Sequence, residues 1–347
     1  MRLGRFIIDT HVHAQRFAAG PQLGGSTRYE NLASVMRGME AYDNSARLLY
    51  DMERYGVDMC VLLPGFGMSN ELNAQLVERH PDKFVACCTA VETAKAALRG
   101  EMEWSAEAAA QELDRLLSTG KFVGIGEGIP GNPVRRKSVS LTERLEEIRV
   151  ILQVARKHRV PARIHTGVVQ GYPLTHHRWP ESLQVLWLTD IAAEFPDVPL
   201  ILDHGGMQAG YLERWVEEAL HVAGSHDNVF LETGLWWAEL YEKALADPNV
   251  GPEKLLWGTD WGASMPVYWR PGPPPRSFAQ QVRRWGIPRH QVDFWGWSFR
   301  QLLRLDISQD DMNLILGGNA VRVFRLEDRV PLRRLFRPVE GPWREEG

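Results

Sequence analysis

Phe6-Ile7-Ile8-Asp9-Thr10-His11-Val12-His13 is an apolar, β-branched run that ends in a His-x-His pair. Its composition is that of a buried strand. Residues two apart on a strand share a face, so His11 and His13 can aim both imidazoles at one point where the strand leaves the core. Neutral imidazole is a frequent ligand of zinc-like divalent ions. Two histidines two apart also occur by chance on surfaces, so the pair takes its meaning from what the rest of the chain delivers.

Seven more apolar runs of strand length follow: 57–64, 83–89, 122–126, 160–164, 198–202, 228–233 and 254–258. Helical spacing alternates with them over 43–55, 69–80, 105–118, 141–159, 182–195, 211–222 and 236–246, then over 310–316 and 319–324. Ser69 suits an N-cap, Gly56 and Gly120 suit helix ends, and 30–38 gives a weaker helical signal. Continuous apolar runs suit strands covered on both faces, as parallel strands are. Eight β/α units predict one closed (β/α)8 TIM barrel spanning 1–347 as a single domain. An open doubly wound sheet is the competing arrangement, but it gives no reason for polar residues at so many strand ends.

From 262 to 306 the alternation breaks into a segment rich in Pro and Trp, including Trp269, Trp285, Trp295 and Trp297. A connection this long in a compact domain is usually functional. It is expected either to wall the barrel mouth after the eighth strand or to serve as a packing or dimer element. The charged tail from 327 to 347 is expected to be peripheral.

The chain has 347 residues, 44% hydrophobic and 24% charged, with a net charge of −4. These values fit a globular protein and give no basic surface for nucleic acid or anionic membrane. No signal peptide and no apolar run of transmembrane length is read, so the expectation is a cytoplasmic protein. Cys60, Cys87 and Cys88 lie in strand-like runs with no CxxC spacing, as small buried thiols do.

The strand ends share a pattern. They deliver His11 and His13, Glu127, His165, His204 and Asp260. In a barrel those ends converge on the face where active sites are built. Six metal-competent side chains on five strand ends point to a metal centre far more strongly than any single histidine.

At this point the wording resembles the amidohydrolase superfamily. "IDTHVH", "ILDHGG", "LLWGTD" and the closing "ILGGNAVRVFRL" are similar to the amidohydrolase-2 group, which includes aminocarboxymuconate semialdehyde decarboxylase. The resemblance runs from Arg5 to Leu326, apart from the late insertion. It implies that His11, His13, His165 and Asp260 hold one divalent ion, most often Zn2+, and that His204 is catalytic. Glu127 departs from the decarboxylase pattern. Binuclear hydrolases such as the TatD group carry a bridging Glu on the fourth strand, so Glu127 could join the ligand set and hold a second ion. Otherwise it supports a ligand or bonds a substrate amine.

Three imidazoles and a carboxylate leave a divalent ion positive, with a position open for water whose pKa falls to about 7. Asp260 can take a proton as well as ligate, and His204 can polarise a carbonyl or pass a proton to a leaving group. The reading is a metal-dependent hydrolase of a small amide, lactone or related C–X bond. The alternative is a non-oxidative decarboxylase of an aromatic or unsaturated cyclic acid, and a remoter one is a non-catalytic metal-binding protein. Trp236, Trp237 and Trp261 follow strand ends and are candidates to line an aromatic substrate pocket, whereas core packing suits Trp257 better; Arg47 is a candidate substrate contact with an exposed-helix role competing. Arg163 faces either the barrel interior or the helices. The partner expected is a small molecule, aromatic in some readings, and the chain is expected to form a homodimer or other homo-oligomer.

Overall fold

The computed structural model describes residues 6–17, 41–64, 69–133, 140–166, 185–207, 213–262 and 293–330. Eight parallel strands form one sheet in the order β1 (Ile8–Val12), β4 (Met59–Leu62), β5 (Phe84–Cys88), β6 (Gly124–Ile125), β7 (Ala162–His165), β8 (Leu200–Asp203), β9 (Val229–Glu232) and β10 (Leu255–Leu256). A short antiparallel hairpin, β2 (Gln15–Phe17) with β3 (Ala41–Asp43), stands apart from it. The last strand returns to the first. Thr10 N donates to Trp257 O at 3.0 Å, His13 N donates to Trp261 O at 2.7 Å, and Val12 bridges Trp261 in parallel. The sheet is thus a nearly closed (β/α)8 barrel.

Alternation along the strands builds two apolar regions. Ile8, Met59, Val61, Val85, Ile201, Phe230 and Leu256 fill the inside of the barrel, with Val321 and Phe324 packed against them from the helix Asn319–Phe324. Ile7, Val12, Cys60, Leu62, Leu200 and Leu231 face outward into the larger cluster shared with the helices. The helices begin where small polar side chains can cap them. Ser69 accepts from Leu72 N and Ser105 from Ala108 N, and Ser140 with Glu143 forms a full capping box before the long helix Leu141–His158.

Strict alternation would put Ile7, Asp9, His11 and His13 on one face, and the structure differs. The pairing of β1 with β4 shifts by one residue between Asp9 and Val12. Such a bulge reverses which parity points inward. Ile8 is therefore an inside residue, Ile7 and Asp9 lie toward the helices, and His11 and His13 turn back over the barrel axis.

The late segment is described only in part. Residues 263–292, with Trp269 and Trp285, lie outside the described residues. Its far end is a helix, Phe294–Leu302, and Trp295 and Trp297 are buried in the outer core. Trp257 stacks on Phe299 with centroids 4.8 Å apart and donates from Nε1 to Ser298 Oγ. This stretch packs the barrel wall. A helix at Val91–Arg99, not expected from the sequence, follows β5. The expected break between 316 and 319 is instead a continuous passage through a π turn, Leu314–Gly318, into Asn319–Phe324. The helical signal at 30–38 lies outside the described residues.

Candidate metal centre

β1 delivers His11 and His13, and the turn after β10 delivers Asp260. Asp260 Oδ1 lies 3.5 Å from His11 Nε2 and 3.2 Å from His13 Nε2. Glu127, just past β6, reaches the same imidazoles: Oε1 is 3.6 Å from His11 Nε2 and Oε2 is 3.3 Å from His13 Nε2. Glu127 Oε1 also lies 3.3 Å from Nε2 of His165, the last residue of β7. His204 completes the ring, its imidazole centroid 4.9 Å from that of His11 and 5.1 Å from that of His165.

These distances are informative. Four ligand atoms about 2.0–2.1 Å from a tetrahedral ion stand roughly 3.3 Å from one another. Direct charged hydrogen bonds are shorter, about 2.7–2.9 Å. The spacings between 3.2 and 3.6 Å are those of donor atoms arranged around a common point. Among the described residues, His11 Nε2 and both ring nitrogens of His204 are also buried without a hydrogen-bond partner. Orphaned buried nitrogens beside carboxylates are what a cation would satisfy. The donor set of imidazole and carboxylate therefore fits a zinc-like divalent ion.

Electrostatics separates the histidines into two kinds. Burial works against charge on His11, yet Glu232 and Asp260 outweigh it and raise its pKa well above the ordinary value. His13 is likewise raised against burial, by Glu127 and Asp260. Burial lowers His165 and His204, and the neighbouring His11 pushes both the same way. Burial would raise Glu127, but His13 and His11 hold it well below the carboxylate range. The carboxylates thus demand positive charge on the β1 side, while His204 stays a neutral imidazole.

Backbone strain marks the same residues. His204 and Asp260 are non-glycine residues with φ of 64° and 60°. Such conformations persist where the surroundings over-determine them, often at functional sites. His204 opens a tight turn through Gly206, and Trp236 Nε1 donates to its carbonyl at 2.8 Å. Asp260 is anchored through Thr259, whose N–H and Oγ1 both donate to Asp9. Asp9 also accepts from Trp295 Nε1 and from His11 N, and burial pushes its carboxyl up to about 6.

Arg47 is about half exposed on the helix Ser45–Tyr55, its Nε donating to Asp51 at 2.9 Å. Trp236 has no exposed surface and packs beneath Gly205. Trp237 and Trp261 are buried too, and Trp261 Nε1 donates to Asp51 at 3.3 Å. Arg163 faces the barrel interior. Its guanidinium meets Asp203 at 2.6 Å and donates to Thr10 O at 2.7 Å, below the imidazoles. Gly126, at φ 146°, lets it pass, since a Cβ there would stand 2.7 Å from the Arg163 Cβ.

One residue was missed from the sequence. Glu232 ends β9 on the inner face and bonds His11 Nδ1 at 2.9 Å. The available signal was a lone carboxylate closing the apolar run Val229-Phe230-Leu231, in register with the other strand ends.

Known structures of similar shape pair this barrel with more than one chemistry. A 5-carboxyvanillate decarboxylase from Novosphingobium aromaticivorans, complexed with manganese and a nitrobenzoic acid, is 16% identical with a TM-score of 0.54, over 93% of this chain and 97% of that one. A probable 2-pyrone-4,6-dicarboxylic acid hydrolase from Acinetobacter baumannii, with citric acid bound, is 13% identical with a TM-score of 0.53, over 92% and 99%. An amidohydrolase from Burkholderia multivorans with bound zinc is 14% identical with a TM-score of 0.50, over 92% and 99%. At these identities the likeness is one of fold. No curated protein matches the chain. Among the described residues no helix is long and apolar enough to cross a membrane. The amidohydrolase family model (Amidohydro_2) matches residues 8–326, nearly the whole chain and every strand end described above, and the chain belongs to that family.

Proposed function

We propose that the protein is a metal-dependent hydrolase of a small amide, lactone or related C–X bond. His11, His13, His165 and Asp260 would hold one divalent ion, with zinc the first choice. The observation that carries the hydrolytic reading is Glu127. Its two oxygens divide between His13 on one side and His11 with His165 on the other. A carboxylate so placed can bridge two ligand groups, and it admits a second ion as the alternative to one.

When bound, such an ion supplies Lewis acidity, polarising a carbonyl oxygen and acidifying water. Asp260 and Glu127 offer carboxylate oxygens that can take the proton of an attacking water. His204, kept neutral by burial, has one N–H to donate to a developing oxyanion and one lone pair to receive a proton. Of the aromatic candidates, Trp237 and Trp261 keep a little exposed surface for a flat substrate, and Trp236 keeps none.

Decarboxylation of a cyclic acid is the competing reading. It asks for a cation to hold the substrate carboxylate, and Arg47 is engaged by Asp51. The test is a panel of lactones, small amides and aromatic carboxylic acids offered to the zinc- and manganese-loaded protein. Acid release from the lactones is followed in a pH-stat, amine or ammonia release from the amides by a colorimetric assay, and carbon dioxide is trapped in parallel. Hydrolysis of a lactone or amide, lost in Glu127→Gln, is expected. Carbon dioxide from an aromatic acid, with Glu127→Gln still active, would replace hydrolysis by decarboxylation.

A further inference from the structure

Glu232 takes no part in the chemistry above, yet it touches both halves of the centre. Its Oε2 accepts from the His11 ring at Nδ1 and from the His204 main-chain N–H, each at 2.9 Å. A carboxylate can only accept, so Nδ1 of His11 donates to it, and in the neutral ring this leaves the lone pair on Nε2. That nitrogen is the one facing Glu127 and Asp260. The second bond pins the residue that opens the left-handed turn at His204. The surroundings are shaped around the carboxylate. A Cβ at Gly258 would stand 2.0 Å from Glu232 Oε1, and one at Gly234 would stand 2.8 Å from it.

We propose that Glu232 is a positioning residue that couples the two functions of the site: one oxygen fixes the tautomer of the ligand His11 and the main-chain turn that presents His204. This rests on the metal reading of the preceding section. Carboxylates behind ligand histidines set ring orientation and raise ligand basicity, and their loss weakens metal binding by about 10–100-fold. What is particular here is that the same oxygen also holds the proton-transfer residue, so a disturbance of Glu232 reaches both at once.

The test uses the full-length chain, stripped with a chelator and titrated with Zn2+ against a chromophoric competitor. Wild type, Glu232→Gln, Gly258→Ala and His11→Ala are compared, each checked for folding by circular dichroism in chelator. Glu232→Gln keeps the shape and removes the charge, and about a 10-fold loss of Zn2+ affinity is expected. Gly258→Ala keeps the charge and crowds the carboxylate away from His11, and a loss of similar size is expected. Co2+-loaded samples should show the visible band of the bound ion altered in both variants, which a merely structural role would not do. Unchanged Zn2+ affinity and Co2+ spectrum in a folded Glu232→Gln, beside a large loss in His11→Ala, would overturn the role of Glu232 alone. Unchanged affinity in His11→Ala as well would overturn the metal reading beneath it.

Discussion

Replacing Arg163 by Met should destabilise the barrel in a pH-dependent way. Arg163 is fully buried, pairs with Asp203 at 2.6 Å and donates to Thr10 O at 2.7 Å. Removing one member of a buried pair leaves an uncompensated charge and costs about 3–5 kcal/mol. Apart from Arg163, neither oxygen of Asp203 has a hydrogen-bond partner among the described residues. Burial already pushes Asp203 above its ordinary pKa in spite of Arg163, so without the guanidinium it rises further. A carboxyl whose folded pKa lies above its unfolded one binds more protons folded than unfolded. Its contribution is therefore lost as pH rises, by about 1.4 kcal/mol per unit until the folded pKa is passed. Urea unfolding at pH 5.5, 7 and 8.5 (chosen as roughly the window between these limits) should show Arg163→Met least destabilised at the lowest pH. Arg163→Met with Asp203→Leu should recover much of the loss at every pH, because an apolar pair of similar volume replaces both charges. A loss below about 1 kcal/mol with no pH dependence would show that the pair does not hold the barrel together.

Other consequences can be checked on the same preparations. Cys60, Cys87 and Cys88 are buried, and burial pushes the Cys87 thiol up to about 12 and the other two well above their ordinary value. Native protein at pH 8 (about half a unit below a free thiol's pKa) should leave a thiol reagent unconsumed, and denatured protein should consume all three equivalents. Trp295→Phe removes the indole donor from the buried Asp9, and a bond to a charged group is worth about 1.5–3 kcal/mol, readable as a shifted urea midpoint. Arg47→Ala breaks a half-exposed pair and should cost less than about 1 kcal/mol with metal content unchanged, as measured by elemental analysis. A fall in metal content there would place Arg47 closer to the centre than its bond to Asp51 suggests.

The sequence carried most of the fold because the barrel's signals are local. Each apolar run is covered on both faces, so it stands out without knowledge of its neighbours. The polar residues that end those runs converge because parallel strands must share one exit face. What escaped depends on contacts distant in sequence. Nothing in Ile7-Ile8-Asp9 announces the bulge that turns His11 inward, since a bulge is defined by the register against β4. Glu232 needs His11, 221 positions away, to acquire its role. Arg163 was ambiguous because Asp203 and Thr10, which settle its direction, lie on other strands. Trp295 and Trp297 sit in a stretch dense with proline whose composition suited a mouth wall and a packing element equally, and their burial depends on contacts distant in sequence.

If the proposed centre is right, His11, His13, His165 and Asp260, from three strand ends, share one cation. Diffraction data collected at the zinc edge from crystals soaked in Zn2+ would locate it. An anomalous peak bonded to Nε2 of His11, Nε2 of His13, His165 and Asp260 is expected, with Glu127 bound beside it or reaching a second peak. A saturated crystal with no peak there, or with the ion on other residues while these stay directly hydrogen-bonded to one another, would end the metal reading.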